Sequence, residues 1–346
     1  MGRSIPVLAI TMGDPAGIGP EVCVKALARM KELPAFRPLV IGDIDLLKNT
    51  LKFLDPKEKM IDFSFSGSEL DPSVPQEEGT IPVIQPPDVT LRDVSPGKLS
   101  AAAGLAAVRY IQTAIELAKR DLIDGIVTAP INKEAIHLAG FNYPGHTEIL
   151  AEGFNVKHYS LVLSAEGKFI FHVTTHIALR QALNLINEES VYHQIRLAYL
   201  LSKAIGAEDS PIAVAGVNPH AGEDGLFGDE EIVYIKPAVL LAQSEGIPVV
   251  GPLPADVVFP RWAKGQYRFC VAMYHDQGHS VFKSIYFDSG VNITVGLPVI
   301  RTSVDHGTAF DIAGKGIANE QSMMEAIRLA ALLGPKWPFI YAEANK

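Results

Sequence analysis

The chain has 346 residues, 48% of them hydrophobic, and a net charge of -9 from 30 basic and 39 acidic residues. That length supports about two domains with large cores, and the basic residues never gather into runs that would follow a phosphate backbone, which argues against nucleic acid as a partner. No apolar stretch reaches the roughly 18 residues of a membrane span and no signal-peptide pattern opens the chain, so a cytoplasmic protein with no membrane partner is expected. Cys23 and Cys270 stand alone in the apolar stretches EVCVKAL and RFCVAMY. A thiol so placed behaves as a small hydrophobe, which argues against a disulfide framework, a CxxC zinc site or a cysteine nucleophile.

Short apolar, β-branched runs at 5–11, 38–41, 81–84, 125–128, 159–163, 169–173, 212–217, 269–273 and 291–295 predict strands. Helical patterns separate them. The clearest covers 100–119, with Ser100 as a candidate N-cap and Leu105, Val108, Ile111, Ile115 and Leu117 on its apolar face. Others follow Pro20, Ser190, Asp229 and Gln321, the last at 323–333. This alternation predicts an α/β protein with doubly wound, largely parallel sheets. Segment 71–87, rich in proline and polar residues, predicts a surface excursion. No internal repeat or linker-like composition marks a domain boundary.

Two segments break the periodic pattern. Gly13-Asp14-Pro15-Ala16-Gly17-Ile18-Gly19-Pro20-Glu21 lies between the first strand and a helix that Pro20 could open. Its glycines suit either a tight turn or an anion held at a helix N-terminus, and the residues alone leave both open. The spacing is not GxGxxG, and no GxxxxGK[ST] occurs, so a standard Rossmann site is disfavoured. The second segment, 305–320, reads DHGTAFDIAGKGIANE, an aperiodic run of the length that is usually functional. Together the two resemble the GDGIGPE and HGSAPDIAGKGIANP stretches of the β-decarboxylating isopropylmalate and isocitrate dehydrogenases. That resemblance implies two α/β/α domains with the active site in the cleft between them. It also implies a non-Rossmann NAD site in which 306–319 holds the adenosine, through His306, Gly307, Thr308, Ala309, Asp311 and Asn319.

Among ten histidines, His176, His220 and His275 follow strand-like runs, where side chains reach the crevice beyond the carboxyl ends of a parallel sheet. Three neutral imidazoles with an open fourth position suit Zn²⁺ and similar divalent metals. Ordinary hydrogen-bonded structural histidines are the alternative, and His172 and His279 compete as ligands from four positions away; His172 reads as a strand residue and His279 as a pocket wall. Further motifs are TAPINK (128–133), PGHTE (144–148), TTH, NPHAGE, PLPAD (252–256), HDQG, GVNITVGLP (290–298) and RTSVDHGTA (301–309). Together they resemble the 4-hydroxythreonine-4-phosphate dehydrogenase family over essentially the full chain.

The resemblance implies His176, His220 and His275 as ligands of one divalent metal, zinc foremost with magnesium, manganese or cobalt as alternatives. It implies His146, Thr147, Lys283, Asn292 and Arg301 as substrate contacts, and a homodimer whose active site lies at the subunit interface with ligands from both chains. Fixed positive charge and oriented donors at those positions would suit a phosphorylated carboxylate. Without the resemblance, Lys283 and Arg301 read as surface charges, Asn292 as a turn residue and Thr147 as a helix cap. The expected domains are 1–130 with 290–346, carrying the NAD segment, and 131–289, carrying the metal ligands and dimer contacts.

The implied reaction is NAD-dependent and metal-dependent oxidation of a hydroxyl, followed by loss of the β-carboxylate. Asp256, Asp276 and Lys283 are candidates for the general base. After HDQG the chain has His279-Ser280 where biosynthetic members of the vitamin B6 route have leucine. HDQGH resembles the branch acting on D-threonate or D-erythronate 4-phosphate, which would yield dihydroxyacetone phosphate and CO2. The alternatives are 4-phosphohydroxy-L-threonine oxidation in pyridoxal phosphate biosynthesis, a metal-dependent hydrolase, and a binding protein that has kept the fold and lost the chemistry.

Overall fold

The structure is a computed structural model describing residues 3–55, 61–65, 79–156, 159–287 and 289–344. In chain order the strands are β1 (Val7–Thr11), β2 (Arg37–Ile41), β3 (Asp62–Phe65), β4 (Thr80–Ile84), β5 (Gly125–Thr128), β6 (Ser160–Ala165), β7 (Lys168–His172), β8 (Ile212–Ala215), β9 (Val249–Leu253), β10 (Phe269–Ala272), β11 (Val291–Val295) and β12 (Ile300–Val304). The chain divides into two compact units, Met1–Lys157 with Leu297–Pro338, and His158–Gly296 with Phe339–Lys346. The division at 157 and 296 differs from the boundaries expected at 130 and 290. It places His146 and Thr147 in the first unit rather than with the metal-ligand candidates.

In the first unit the strand order is β3-β4-β2-β1-β5-β12, and every neighbouring pair is parallel. Every residue of β1 and β5 is buried, as expected of a parallel strand covered on both faces. The helix Ala101–Lys119 turns eleven buried residues inward, most of them alanine or aliphatic. Its Gly104 lies against the backbone of Ala135, where a Cβ would overlap the carbonyl group. The helix therefore carries a glycine in its first turn, where the backbone can reach the helix Lys133–Leu138 closely. Ser100 occupies the N-cap position, but its side chain makes no capping hydrogen bond. Pro20 is the second residue of the helix Gly19–Ala28, not its first.

The second unit orders its strands β11-β6-β7-β10-β8-β9, with β11–β6 and β6–β7 antiparallel and the other pairs parallel. Trp262 centres its core, with Phe282 at 6.1 Å and Tyr286 edge-on at 5.9 Å between ring centroids. Phe282 and Tyr286 belong to the helix His275–Tyr286. With 3.6 residues per turn, His275, His279, Phe282 and Tyr286 share one face. The aromatic end anchors the helix, and the histidine end emerges from the same face at the carboxyl end of β10.

Three strands depart from the sequence reading. β3 is an edge strand with a single buried residue. β9 contains Pro252 after a cis peptide, and proline in a run argues against a strand unless it lies at an edge, as here. β12 is wholly buried yet reads IRTSV, so its polar side chains hid it. The expected surface excursion at 71–87 is corrected in part. Residues 80–84 form β4, buried from Ile81 onward, while 71–78 lie outside the described residues. No described helix is long and apolar enough to cross a membrane. Burial pushes the Cys23 thiol up to about 12 and raises Cys270 as well.

Candidate active site

In the first unit the two aperiodic segments meet. Glu21, 2% exposed, accepts from the backbone N–H of Gly316 at 3.1 Å and of Ala318 at 2.6 Å. Lys25 pairs with Glu21 at 3.0 Å and donates to the carbonyls of the same two residues. One helical turn thus clasps the loop after β12 from both sides of its backbone. The glycine-rich segment is packed beneath this loop: Ile18 N–H donates to Thr308 O at 3.0 Å, and a Cβ on Gly17 would press on the Thr308 side chain. The N–H groups of Asp14, Ala16 and Gly17 are likewise bonded within the fold. Of its two possible readings, the tight turn is the one observed. Gly307 is exposed with open space beyond it, Asp311 and Asn319 are exposed, and His306, Thr308 and Ala309 are half-buried. The stretch therefore offers side chains and open backbone to a ligand while its ends are held.

A second cluster of this unit gathers at the carboxyl end of β5. Arg301 on β12 is 3% exposed and donates to Thr128 Oγ1 at 2.8 Å. Burial pulls its guanidinium down to about 10, against the pull of the Glu148 carboxylate, so it stays cationic at neutral pH. Burial, and then the Arg301 charge, hold His146 well below the usual imidazole range. His146 Nε2 lies 3.1 Å from Ala129 O; a carbonyl only accepts, so Nε2 carries the hydrogen and Nδ1 keeps a lone pair. His146 and Thr147 open the helix His146–Phe154, whose first N–H groups have no side-chain cap. A neutral acceptor, a buried cation and a helix N-terminus suit an anionic, hydroxylated ligand.

The metal-ligand candidates lie in the second unit. His275 Nδ1 lies 2.7 Å from Asp276 Oδ1. A carboxylate holding one ring nitrogen is the usual support of a metal-ligating histidine, and it leaves Nε2 as the donor. The His176 ring is 5.5 Å from that of His275, and both border a cavity of about 450 Å³. His220 borders another of about 420 Å³, on a turn whose residues His220 to Asp224 all have positive φ. Left-handed backbone at four non-glycine residues is costly and clusters at functional sites. Among the described residues no three His, Cys, Asp or Glu side chains are arranged around one ion. The donor chemistry fits a divalent metal, and one chain brings His176 and His275 together without His220.

Of the other expected residues, Lys283 is half-buried with its ammonium 5.5 Å from the Phe287 ring, and Asn292 is half-buried on β11, paired in register with Leu163. Asp256 is exposed at the start of the helix Ala255–Ala263. Three supporting residues escaped the sequence reading. Gln277 accepts from Met273 N–H and donates to Gly216 O, both at 2.7 Å, tying the ends of β10 and β8. Glu231, 2% exposed, accepts from the N–H groups of Val217 and Asn218, both at 2.7 Å, just before His220. Glu148 faces Arg301. Only Gln277 and Glu148 lay inside motifs, and nothing local marks Glu231.

Comparison with known proteins agrees with this geometry. The family model described as pyridoxal phosphate biosynthetic protein PdxA matches residues 34–330. A D-threonate 4-phosphate dehydrogenase of Bordetella bronchiseptica is 50% identical over 99% of this chain and 96% of its own length. One from Cupriavidus necator is 46% identical over 97% of this chain and 99% of its own. The crystal structure of a 4-hydroxythreonine-4-phosphate dehydrogenase from Klebsiella pneumoniae has a TM-score of 0.81 at 43% identity, covering 96% of this chain and 98% of that one. With the α/β fold, these relatives define an oxidoreductase, a dehydrogenase. The chain belongs to the PdxA family.

Proposed function

We propose that this chain oxidises and decarboxylates D-threonate or D-erythronate 4-phosphate, giving dihydroxyacetone phosphate and CO2, with NAD as hydride acceptor and one divalent metal, zinc foremost, at His176, His220 and His275. The substrate choice is carried by one observation. His279 stacks on the ligand candidate His275 with 3.7 Å between centroids, in a chain half identical to a D-threonate 4-phosphate dehydrogenase. An imidazole there can bond a hydroxyl, which leucine cannot.

When bound, the metal supplies Lewis-acid stabilisation of developing negative charge on oxygen, and NAD supplies the hydride acceptor. The protein's own residues do the rest. Arg301 and Lys283 hold the two anionic ends of the substrate, each contact contributing on the order of 1.5–3 kcal/mol. His146 Nδ1 accepts a hydroxyl hydrogen, with Thr147 and Asn292 as further polar contacts. The stretch 306–319 receives the adenosine of NAD through His306, Gly307, Thr308, Ala309, Asp311 and Asn319. Asp276 orients His275, and Asp256, Asp276 and Lys283 stay the candidates for the general base.

A homodimer completes the site in this reading. Ile177, Leu179 and Leu183 beside His176, and Leu226 and Phe227 after His220, are exposed apolar side chains of the kind that a partner covers. Ligands drawn from both chains also account for a single chain that assembles only two of the three histidines.

The test is NADH formation by the purified chain with each phosphorylated acid. We expect kcat/KM to favour D-threonate or D-erythronate 4-phosphate over 4-phosphohydroxy-L-threonine. The opposite order would favour the reading suggested by the Klebsiella pneumoniae structure's name. Turnover without NADH would favour a hydrolase.

A further inference from the structure

Behind the His275 ring, His279 is backed by His172, a buried residue that the reaction above leaves unused. His172 closes β7 and is 2% exposed. Its Nδ1 lies 3.4 Å from the carbonyl oxygen of Leu161, and its Nε2 lies 3.2 Å from Nδ1 of His279. Gly278 shows how closely the helix His275–Tyr286 approaches, since a Cβ there would overlap His172 Nε2 and crowd Ile170. His279 then stacks on His275 with 13° between the ring planes.

The chemistry of the two ends fixes the direction of these bonds. A carbonyl oxygen only accepts, so the hydrogen of neutral His172 sits on Nδ1. The opposite tautomer would set a ring lone pair against the oxygen of Leu161. His172 Nε2 is then an acceptor, and Nδ1 of His279 must donate to it. The backbone carbonyl of His275, one turn back on the same helix, also accepts from the His279 ring, and with the hydrogen committed on Nδ1 neutral His279 keeps its lone pair on Nε2.

We propose that His172 is a positioning residue that fixes His279 in the Nδ1–H tautomer, making His279 Nε2 the acceptor for a hydroxyl on the substrate carbon next to the carboxylate. The specificity half rests on the reading above that His279 faces the substrate; the tautomer does not. Neither residue needs to change charge. The pair acts by choosing which ring nitrogen can accept.

Long-range ¹H–¹⁵N correlation spectra of histidine-labelled full-length protein decide the tautomer, with His279 assigned by its absence in His279→Leu. Wild-type His279 should carry its hydrogen on Nδ1. His172→Phe should weaken the preference for the Nδ1–H tautomer, since only the His275 carbonyl then holds the ring, while His172→Gln, whose Oε1 still accepts, should keep it. Gly278→Ala should displace His172 and alter the His279 signals without touching any titratable group. A wild-type His279 with its hydrogen on Nε2 would overturn the proposal, as would signals unchanged in both His172→Phe and Gly278→Ala.

Kinetics test the second half. Wild type should prefer D-threonate 4-phosphate over its 2-deoxy analogue by about three- to tenfold, the value of one hydrogen bond. His172→Phe should lose that preference while keeping kcat for the deoxy compound. A preference that survives His172→Phe overturns the specificity role. Absence of turnover with either compound would instead refute the proposed reaction, and the spectra would still decide the tautomer.

Discussion

Asp14 in the glycine-rich turn is fully buried, with one carboxylate oxygen bonded to the Ala16 N–H at 2.8 Å and the other lacking a hydrogen-bond partner among the described residues. Burial raises it from the ordinary 3.8 to about 6. The folded protein therefore holds a proton that the unfolded chain has already released. That stabilisation is complete below pH 3.8 and is lost as the pH rises through about 6. Above it, the buried charge costs on the order of 3 kcal/mol. Asp14→Asn keeps the acceptor for Ala16 and removes the charge. In urea melts it should be more stable than wild type at pH 8, with the gap closing toward pH 4; an equal gap at both pH values would contradict this account. Glu21 shows the opposite solution, its buried carboxylate accepting from two backbone N–H groups and pairing with Lys25.

The loop after β12 behaves as an element because its far end is clasped, and Gly307 is the point where it can be probed. Its backbone is not left-handed, it is exposed, and an added Cβ meets nothing within 4 Å, so Gly307→Phe should fold as wild type does. If the stretch receives the adenosine of NAD, the variant should raise the NAD dissociation constant about tenfold or more, roughly 1.4 kcal/mol, and leave metal binding unchanged in calorimetry. Unchanged NAD affinity would remove this segment from the cofactor site. The strands flanking such loops were readable to different degrees. The apolar runs of β1 and β5 and the alternating Val-Asn-Ile-Thr-Val of β11 show in the sequence. β12 does not, because Arg301, Thr302 and Ser303 are buried by tertiary partners such as Thr128 and the Ala326 carbonyl that no local pattern reveals.

At the scale of the whole molecule, the question is whether one chain can complete a metal site. Inactive His176→Ala and His220→Ala proteins, unfolded together and refolded as a mixture, should recover roughly a quarter of wild-type activity if a symmetric dimer shares its ligands, since half the dimers would carry one intact site of two. Either variant refolded alone should stay inactive. The other pairings, with His275→Ala, complete the test; no recovery in any of the three would place all ligands in one chain. The proposed dimer would cover the exposed apolar side chains around His176 and His220.

The sequence by itself determined the α/β class, most strands and the family, because hydrophobic period and motif spacing are local properties of the chain. It also named His176, His220 and His275, which the structure places in the segments that follow β7, β8 and β10. Only the tertiary structure decided that the glycine-rich turn spends its amides inside the fold, that Arg301 is buried beside His146, and that His172 bonds His279 across 107 positions. Each is a contact between residues far apart in sequence. Its energy depends on which carbonyl, ring or carboxylate the fold brings within about 3 Å, and a linear pattern holds no record of that distance.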